Sequence, residues 1–372
     1  MLVYIFNFAA NMLLGFLVLG LKPREASKKR RAVYLTLTAI QLALLCGLRG
    51  PSVAYDTDNY LRIFENSVKD LTTGEFNSSR VELGYYYLCQ LVGILGGTAT
   101  TVNLLCSFFT MGASCLFLYR HSDNVLLSVF TLLCFPFYYT SFDIVRHYIA
   151  VAFFLLAYKY LEEKKPIRYF IIVMLGFVFH KVAIFFVFLY FIRNLKNSPI
   201  SWALFGVGSV FFCFFTKDIA RMVIDLAGRL SGYVSEESTW LSGFGGGIKT
   251  AVLYGGILIL MLILYNNLEN REVRDERALH NVLILFCFSV VFINVRMMIR
   301  FIVAFIPLLA IALPRLNDPD NARDKLTANY ITVLFVALGI FYHGFMLATN
   351  WQNVVPYVSV FEDVAAEIAA TA

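Results

Sequence analysis

Charged residues are scarce in this chain. Only 15% of its 372 residues are Asp, Glu, Lys or Arg, whereas a soluble globular domain carries about 25%. Hydrophobic residues make up 59% of the sequence, with 36 Phe and 21 Tyr among them, which suits lipid-facing helices with interfacial aromatic residues. The scarcity of charge excludes an ordinary soluble domain. It predicts an all-α, polytopic membrane protein that contacts membrane lipid and no nucleic acid.

Motifs for metal or cofactor chemistry are also lacking. The chain has five His residues and no His-Glu-x-x-His sequence, the spacing of a common zinc site. Its seven cysteines are scattered through apolar segments without a Cys-x-x-Cys pair, so we interpret them as small buried hydrophobic residues. We therefore expect neither a metal ion nor a cofactor.

No long polar linker divides the chain, which predicts a single transmembrane bundle over residues 1–372. The N-terminal apolar segment lacks a preceding basic region and a small-residue cleavage site, so we interpret it as a retained membrane helix. A spanning helix needs roughly 17–25 apolar residues. The candidate spans are 2–21, 32–48, 100–119, 124–141, 200–216, 249–267, 280–296, 299–314 and 327–348, with two or three further segments in 144–192.

Basic loops set the expected orientation, because Lys and Arg are enriched on the cytoplasmic side of membrane proteins. The basic segments 22–31, 159–168 and 271–277 are all predicted to be cytoplasmic. This requires segment 82–95 to lie along the outer interface without crossing, and it requires the chain to break near His180 and Lys181. The result is about twelve passes. The first external loop then covers 49–99 and contains the interfacial helix, and the second covers 217–248.

Arginines with the chemistry of phosphate binding gather on the predicted outer side. Arg146 opens a helix, where a planar guanidinium and the positive end of the helix dipole suit a phosphate. Arg296 and Arg300 have i, i+4 spacing, so they would share a helix face and repel each other unless an anion, such as a diphosphate, bridges them. Arg49 is a further candidate, for a second diphosphate or an acidic sugar. The alternatives are a snorkelling Arg146 paired with Asp143 and an ordinary polar turn around the other two arginines.

Three side chains are candidates for the base in a proton-transfer step: His180, Asp56 and Asp58. His180 can take a proton near neutral pH. The two aspartates are expected in a loop, where one of them can accept a proton from a sugar hydroxyl or hold a sugar ring by hydrogen bonds. The alternatives are a structural histidine and solvated loop acids.

Four more side chains on the same predicted side are candidates for substrate binding. They are Glu82, His147, Trp351 and Tyr357. The two aromatic side chains offer flat apolar faces against which sugar rings stack. The alternative for both is membership of the interfacial aromatic belt.

Several short motifs, in order along the chain, resemble the EpsG family, which contains Wzy-type polymerases of O-antigen, capsule and exopolysaccharide. They are Arg49 followed by Tyr55-Asp-Thr-Asp-Asn-Tyr60, Glu82 to Tyr85, Phe142 to Ala150, Phe179 to Ala183, Arg300-Phe301 and Trp351 to Tyr357. Two positions differ from the usual family pattern. His147 stands where Gln is common, and Lys181 stands where a small Ser or Thr is common, which suggests a different sugar substrate.

The resemblance implies a glycosyltransferase at the outer face of the bacterial cytoplasmic membrane. Such proteins join oligosaccharide repeat units carried on undecaprenyl diphosphate, and their fold is expected to be similar to the GT-C class of membrane glycosyltransferases. Chain-length regulator and flippase proteins are the implied partners. We hypothesise an inverting transfer in which Arg146, Arg296 and Arg300 stabilise the departing diphosphate.

Two other functions remain open at this point. A polysaccharide ligase would use the same lipid-diphosphate donor and differ only in its acceptor. A lipid-linked glycan transporter or flippase would also carry charge within the membrane, but it predicts charges in both halves of the bilayer and inverted repeats. The charges here are weighted to one side and no internal repeat stands out, which disfavours the transporter.

Overall fold

The computed structural model describes residues 1–73, 81–193, 198–231, 246–294 and 299–362, and this part of the chain is predominantly α-helical. Its helices are α1 (Leu2–Leu19), α2 (Lys28–Gly47), α3 (Thr57–Thr73), α4 (Leu83–Ile94), α5 (Ala99–His121), α6 (Val125–Cys134), α7 (Phe137–Asp143), α8 (Val145–Glu162), α9 (Pro166–Phe179), α10 (Ala183–Arg193), α11 (Pro199–Ser231), α12 (Gly246–Asn267), α13 (Val273–Val291), α14 (Ile299–Val303), α15 (Ile306–Leu316) and α16 (Lys325–Ala348). The all-α class is confirmed over these residues.

The chain divides into two compact units, the first comprising residues 1–121, 132–190 and 341–372, and the second 122–131 and 191–340. In the first unit, α2 packs along α5, α5 packs against α8, and α8 packs against α9. In the second unit, α13 packs against α11, α12 and α15. The single transmembrane bundle stays a prediction.

Among the described residues, four helices are long and apolar enough to cross a membrane. They are Leu2–Leu19, Ala99–His121, Gly247–Asn267 and Lys325–Ala348. A fifth span results if α6 and α7 cross as one bent pair, with an angle of 51° between them. These helices indicate a membrane protein, while the count of about twelve passes and the GT-C-like arrangement stay predictions.

Two of the expected continuous helices are interrupted. Segment 124–141 consists of α6 and α7, and Pro136 stands at the bend between them. Proline has no N–H to donate and its ring clashes with the preceding turn, so the helix breaks there. Segment 299–314 divides into α14 and α15, and Pro307 lies in the first turn of α15, where proline is favoured. A continuous helix over either segment is therefore a wrong prediction.

The predicted break near His180 is confirmed. α9 ends at Phe179, α10 begins at Ala183, and His180 itself has extended backbone angles. The helix in segment 82–95 is also short: α4 has 12 residues, or about 18 Å, against a hydrocarbon core of roughly 30 Å. Its length agrees with a segment that does not cross, and its position in a membrane stays a prediction.

The two expected external loops contain more helix than the sequence pattern predicts. Asp58 is expected in a loop, but α3 begins at Thr57 and places Asp58 in its first turn. The buried side chains of Tyr60, Ser67 and Asp70 recur at helical spacing, so one face of α3 can pack against α4. In segment 217–248, α11 continues to residue 231 and α12 begins at residue 246, and residues 232–245 lie outside the described part.

A close approach between α2 and α5 at Gly47 provides a test of the packing. A Cβ atom at Gly47 would lie 2.8 Å from the Cα of Leu104, so the two backbones would have to separate. We expect Gly47→Ala to destabilise the protein by about 1–3 kcal/mol, seen as a lower unfolding temperature in detergent. Gly112 lies in α5 with open space around it, so the matched control Gly112→Ala is expected to be neutral or stabilising. Equal losses in both variants would contradict this packing.

Candidate active site

The starts of α8 and α4 are joined by an ion pair between Arg146 and Glu82. Arg146 Nη1 donates a hydrogen bond to Glu82 Oε2, and the two side chains are 20% and 16% exposed. The pair thus lies at the edge of solvent rather than in the core. An ion pair between Arg146 and Asp143 was the alternative predicted from the sequence. In the structure, Arg146 pairs with Glu82 instead. No described residue accepts a hydrogen bond from Arg146 Nε.

Tyr60 supports Arg146 from the buried face of α3. The guanidinium carbon of Arg146 lies 5.8 Å from the centre of the Tyr60 ring, within the range of a cation–π contact. The Tyr60 ring in turn lies 5.5 Å from that of Tyr85 on α4. Burial raises the pKa of Tyr60 while the nearby Arg146 charge opposes the rise, so this phenol stays protonated at neutral pH. Tyr60 was not predicted as a site residue from the sequence, although its i, i+4 spacing from Asp56 is a usable signal.

His147 and His180 come together from α8 and from the break after α9. Their ring centres are 5.4 Å apart in an edge-on arrangement. The backbone N–H of Val182 donates to His180 Nδ1 at 3.1 Å, so a neutral His180 ring carries its proton on Nε2. In this tautomer Nε2 is available as a hydrogen-bond donor, and the one lone pair of the ring nitrogens is already engaged by the N–H of Val182.

The approach of α4 to the end of α9 depends on Gly84. A Cβ atom at this position would lie 2.9 Å from the carbonyl oxygen of Val178 and 3.1 Å from the ring of Phe179. The missing side chain therefore lets the start of α4, which carries Glu82, lie against the segment that leads into His180. This contact brings the Arg146–Glu82 pair and the two histidines into one region of the first unit.

A backbone hydrogen bond holds Asp56 in the same region. Its N–H donates to Asp143 Oδ1 at 3.0 Å, and the fully buried Asp143 is the last residue of α7, three positions before Arg146. Asp56 is partly exposed, and none of its hydrogen bonds or ion pairs to described residues involves its carboxylate. Asp56 is therefore a candidate for contact with a ligand. We call Asp56, Glu82, Arg146, His147 and His180 the polar cluster.

Asp58 lies elsewhere on α3. Its carboxylate is 54% exposed and forms an ion pair of 2.7 Å with Arg62, one helical turn along. Such a surface pair contributes about 0.3–0.5 kcal/mol. The structure thus separates two aspartates that could not be distinguished from the sequence, since Asp56 belongs to the polar cluster and Asp58 faces solvent.

Arg49 is enclosed, with only 1% of its surface exposed. Its Nη1 donates to the carbonyl oxygen of Cys46 at 2.5 Å and its Nε donates to Thr57 Oγ1 at 3.1 Å. Its guanidinium also lies 5.7 Å from the centre of the Phe142 ring. Through these contacts Arg49 holds the end of α2, the start of α3 and α7 together. In this arrangement it supports the site without reaching solvent.

Trp351 and Tyr357 lie on the C-terminal segment, which returns to the first unit. Trp351 Nε1 donates to Thr140 Oγ1 at 3.3 Å, and Tyr357 Oη donates to the carbonyl oxygen of Leu45 at 3.0 Å. The Tyr357 ring also lies 5.8 Å from that of Tyr4. Burial raises the pKa of Tyr357 to about 12. Both polar ends are thus engaged by protein, while the rings remain partly exposed.

Comparison with known proteins adds one finding to this geometry. The model of the EpsG family matches residues 32–359. The chain belongs to the EpsG family. No curated protein and no solved structure matches it. The matched range includes the whole polar cluster, and membership of the EpsG family indicates a membrane protein with a polysaccharide polymerase role.

Of the two other arginines predicted to bind the diphosphate, the structure describes one. Arg300 lies on α14 in the second unit, and Arg296 lies outside the described residues. The predicted meeting of both with Arg146 at one cavity therefore stays a prediction. Within the part of the EpsG chain that the structure describes, no three or more His, Cys, Asp or Glu side chains are arranged to bind a metal ion.

Proposed function

We propose that this EpsG protein polymerises oligosaccharide repeat units carried on undecaprenyl diphosphate, by inverting glycosyl transfer at the outer face of the bacterial cytoplasmic membrane. The observation that carries the proposal is the polar cluster, which lies inside the range matched by the family model. Its guanidinium, imidazole and carboxylate groups suit the two tasks of the reaction, the stabilisation of a departing diphosphate and the removal of a proton.

The reaction exchanges one bond for another at the anomeric carbon of the donor sugar. The oxygen of an acceptor hydroxyl attacks this carbon from the face opposite the diphosphate, which inverts the configuration. The bond from the carbon to the phosphate oxygen breaks, and its electron pair leaves with the lipid diphosphate. The proton of the acceptor hydroxyl passes to a base on the protein.

Arg146 is the proposed partner of the departing diphosphate. Its charge is permanent and its planar fork matches phosphate oxygens. Glu82 and Tyr60 hold the side chain from two sides, and the side chain is 20% exposed. His180 Nε2–H is the proposed second donor, because its Nδ1 already accepts the N–H of Val182. Arg296 and Arg300 keep their proposed role as further diphosphate ligands.

Asp56 is the proposed base. Its carboxylate is free of hydrogen bonds to described residues, while its backbone is held by Asp143. Asp58 is paired with Arg62 at the surface, and His180 has the tautomer of a donor. These two contacts favour Asp56 among the three candidates predicted from the sequence.

The proposal is tested by reconstituting the purified protein in lipid vesicles. The substrate is the lipid-linked oligosaccharide that accumulates in cells from which the gene has been deleted. We expect a ladder of products that differ by one repeat unit, with lipid diphosphate released and with no loss when EDTA is added. Movement of intact substrate across the vesicle membrane without a ladder would instead identify a transporter. A single transfer that occurs only onto an added lipopolysaccharide core would identify a ligase.

A further inference from the structure

Two segments far apart in the sequence are joined beside Asp56. The N–H of Gly50 donates to the carbonyl oxygen of Val358 at 2.8 Å, and that of Ala54 donates to the carbonyl oxygen of Asn353 at 2.9 Å. These bonds attach the loop before α3 to the C-terminal segment that carries Trp351 and Tyr357. The loop and the segment therefore present their side chains as one surface, within the first unit.

The backbone on both sides of this junction adopts an unusual conformation. Ala54 has a φ of 68° and Gln352 a φ of 58°, in the left-handed region that residues other than glycine seldom occupy. Asn350 holds the second segment in place, because its Oδ1 accepts the N–H of Val355 at 2.7 Å and its Nδ2 donates to Asn353 Oδ1 at 3.1 Å. Strained backbone that is held by such bonds is concentrated at ligand-binding sites.

The side chains next to the junction have the chemistry of a sugar-binding surface. Tyr55 directly follows Ala54 and is 67% exposed, so its aromatic face is available for stacking. Gln352 directly precedes Asn353 and is partly exposed, and its side-chain amide has no hydrogen-bond partner among the described residues. Trp351 adds a second, partly exposed ring. A flat apolar face beside an open amide and the Asp56 carboxylate matches the alternating apolar faces and hydroxyl groups of a sugar.

We infer that Tyr55, Asp56, Trp351 and Gln352 form an acceptor platform that binds the terminal sugar of the incoming glycan. This inference rests on the proposed function, since it assigns the second substrate of the same reaction. The acceptor is chosen over the donor because Asp56, the base that takes the acceptor proton, is itself part of the platform. The donor diphosphate is assigned to Arg146. Asp56 is linked to this part of the site because its backbone N–H donates to Asp143, three positions before Arg146.

The test measures acceptor use separately from donor use. A radiolabelled lipid-linked repeat unit serves as the donor, and oligosaccharide released from the same material by mild acid serves as an acceptor without lipid. We expect Tyr55→Ala and Gln352→Ala to raise the apparent KM for the free oligosaccharide by about tenfold each. The apparent KM for the lipid-linked donor is measured at saturating free oligosaccharide, so that a second lipid-linked unit does not serve as the acceptor, and it should stay within about twofold of the wild-type value. Tyr55→Phe, which keeps the aromatic face, should retain the wild-type KM for the acceptor.

Tyr330 on α16 provides the matched control, because it is also 67% exposed and lies in the second unit. Tyr330→Ala should leave both KM values unchanged. An unchanged acceptor KM in Tyr55→Ala, or an equal rise for donor and acceptor, would overturn the platform. If the wild-type protein transfers no sugar, the proposed reaction fails. In that case, saturation-transfer NMR tests the platform through binding alone. The free oligosaccharide must give a binding signal with the wild-type protein and lose that signal with Tyr55→Ala; any other result overturns the platform.

Discussion

Replacing Arg146 with alanine is expected to lower the rate of polymerisation by about 10²–10³-fold, the usual cost of losing one contact that stabilises charge in a transition state. The negative charge on the diphosphate develops as the bond to the anomeric carbon breaks, so the loss should fall mainly on kcat. Arg146→Lys should recover only part of the rate, because an ammonium group keeps the charge but loses the planar fork. The measurement is product formation in lipid vesicles at saturating lipid-linked substrate, with the amount of folded protein matched between variants.

Two further variants separate a direct role of Arg146 from a structural one. If Arg146 served only to hold Glu82, then Glu82→Gln would lose as much activity as Arg146→Ala. We expect a clearly smaller loss in Glu82→Gln, because Tyr60 still contacts the guanidinium in this variant. Arg62→Ala is the control for the removal of an arginine, since Arg62 is exposed and its ion pair with Asp58 lies on the surface of α3. Activity in Arg62→Ala should remain near that of the wild type.

Asp56→Asn is expected to lower the rate by about 10²–10⁴-fold, the range over which a positioned base contributes. The exchange keeps the shape of the side chain and removes its ability to take a proton. It should leave the local fold intact, because Asp143 holds the backbone N–H of residue 56 and not its carboxylate. The measurement is single-turnover transfer, with thermal unfolding recorded on the same preparation.

Asp58→Asn is the matched control for the loss of a carboxylate at the start of α3. It gives up an exposed ion pair with Arg62, so the rate is expected to change by less than about twofold, consistent with the small energy of such pairs. A large loss in Asp58→Asn together with normal activity in Asp56→Asn would reverse the assignment. Large losses in neither variant would move the role of base to another residue and remove Asp56 from the mechanism.

The features that could be predicted from the sequence are those that depend on neighbouring residues. The apolar runs around α1, α5, α12 and α16 are long enough to identify membrane helices, since hydropathy is a local property. The break at His180 and the position of Arg146 at the start of α8 were likewise correct, because polar residues within an apolar run mark the ends of helices. The errors at Pro136 and Pro307 arose because hydropathy alone does not register the missing N–H of proline.

The partners of these residues, by contrast, were decided by tertiary packing. Arg146 and Glu82 are 64 positions apart in the sequence and pair in the structure. The absence of a side chain at Gly84 lets α4 lie against the end of α9, which places Glu82 there. The burial of Arg49, the exposure of Asp58 and the junction of Ala54 with Asn353 also follow from which helix faces pack together. The sequence by itself thus determined a helical membrane protein of the EpsG family and most of its candidate site residues. Only the tertiary structure decided which of them share a site, because contacts between distant residues depend on helix packing that local periodicity does not encode.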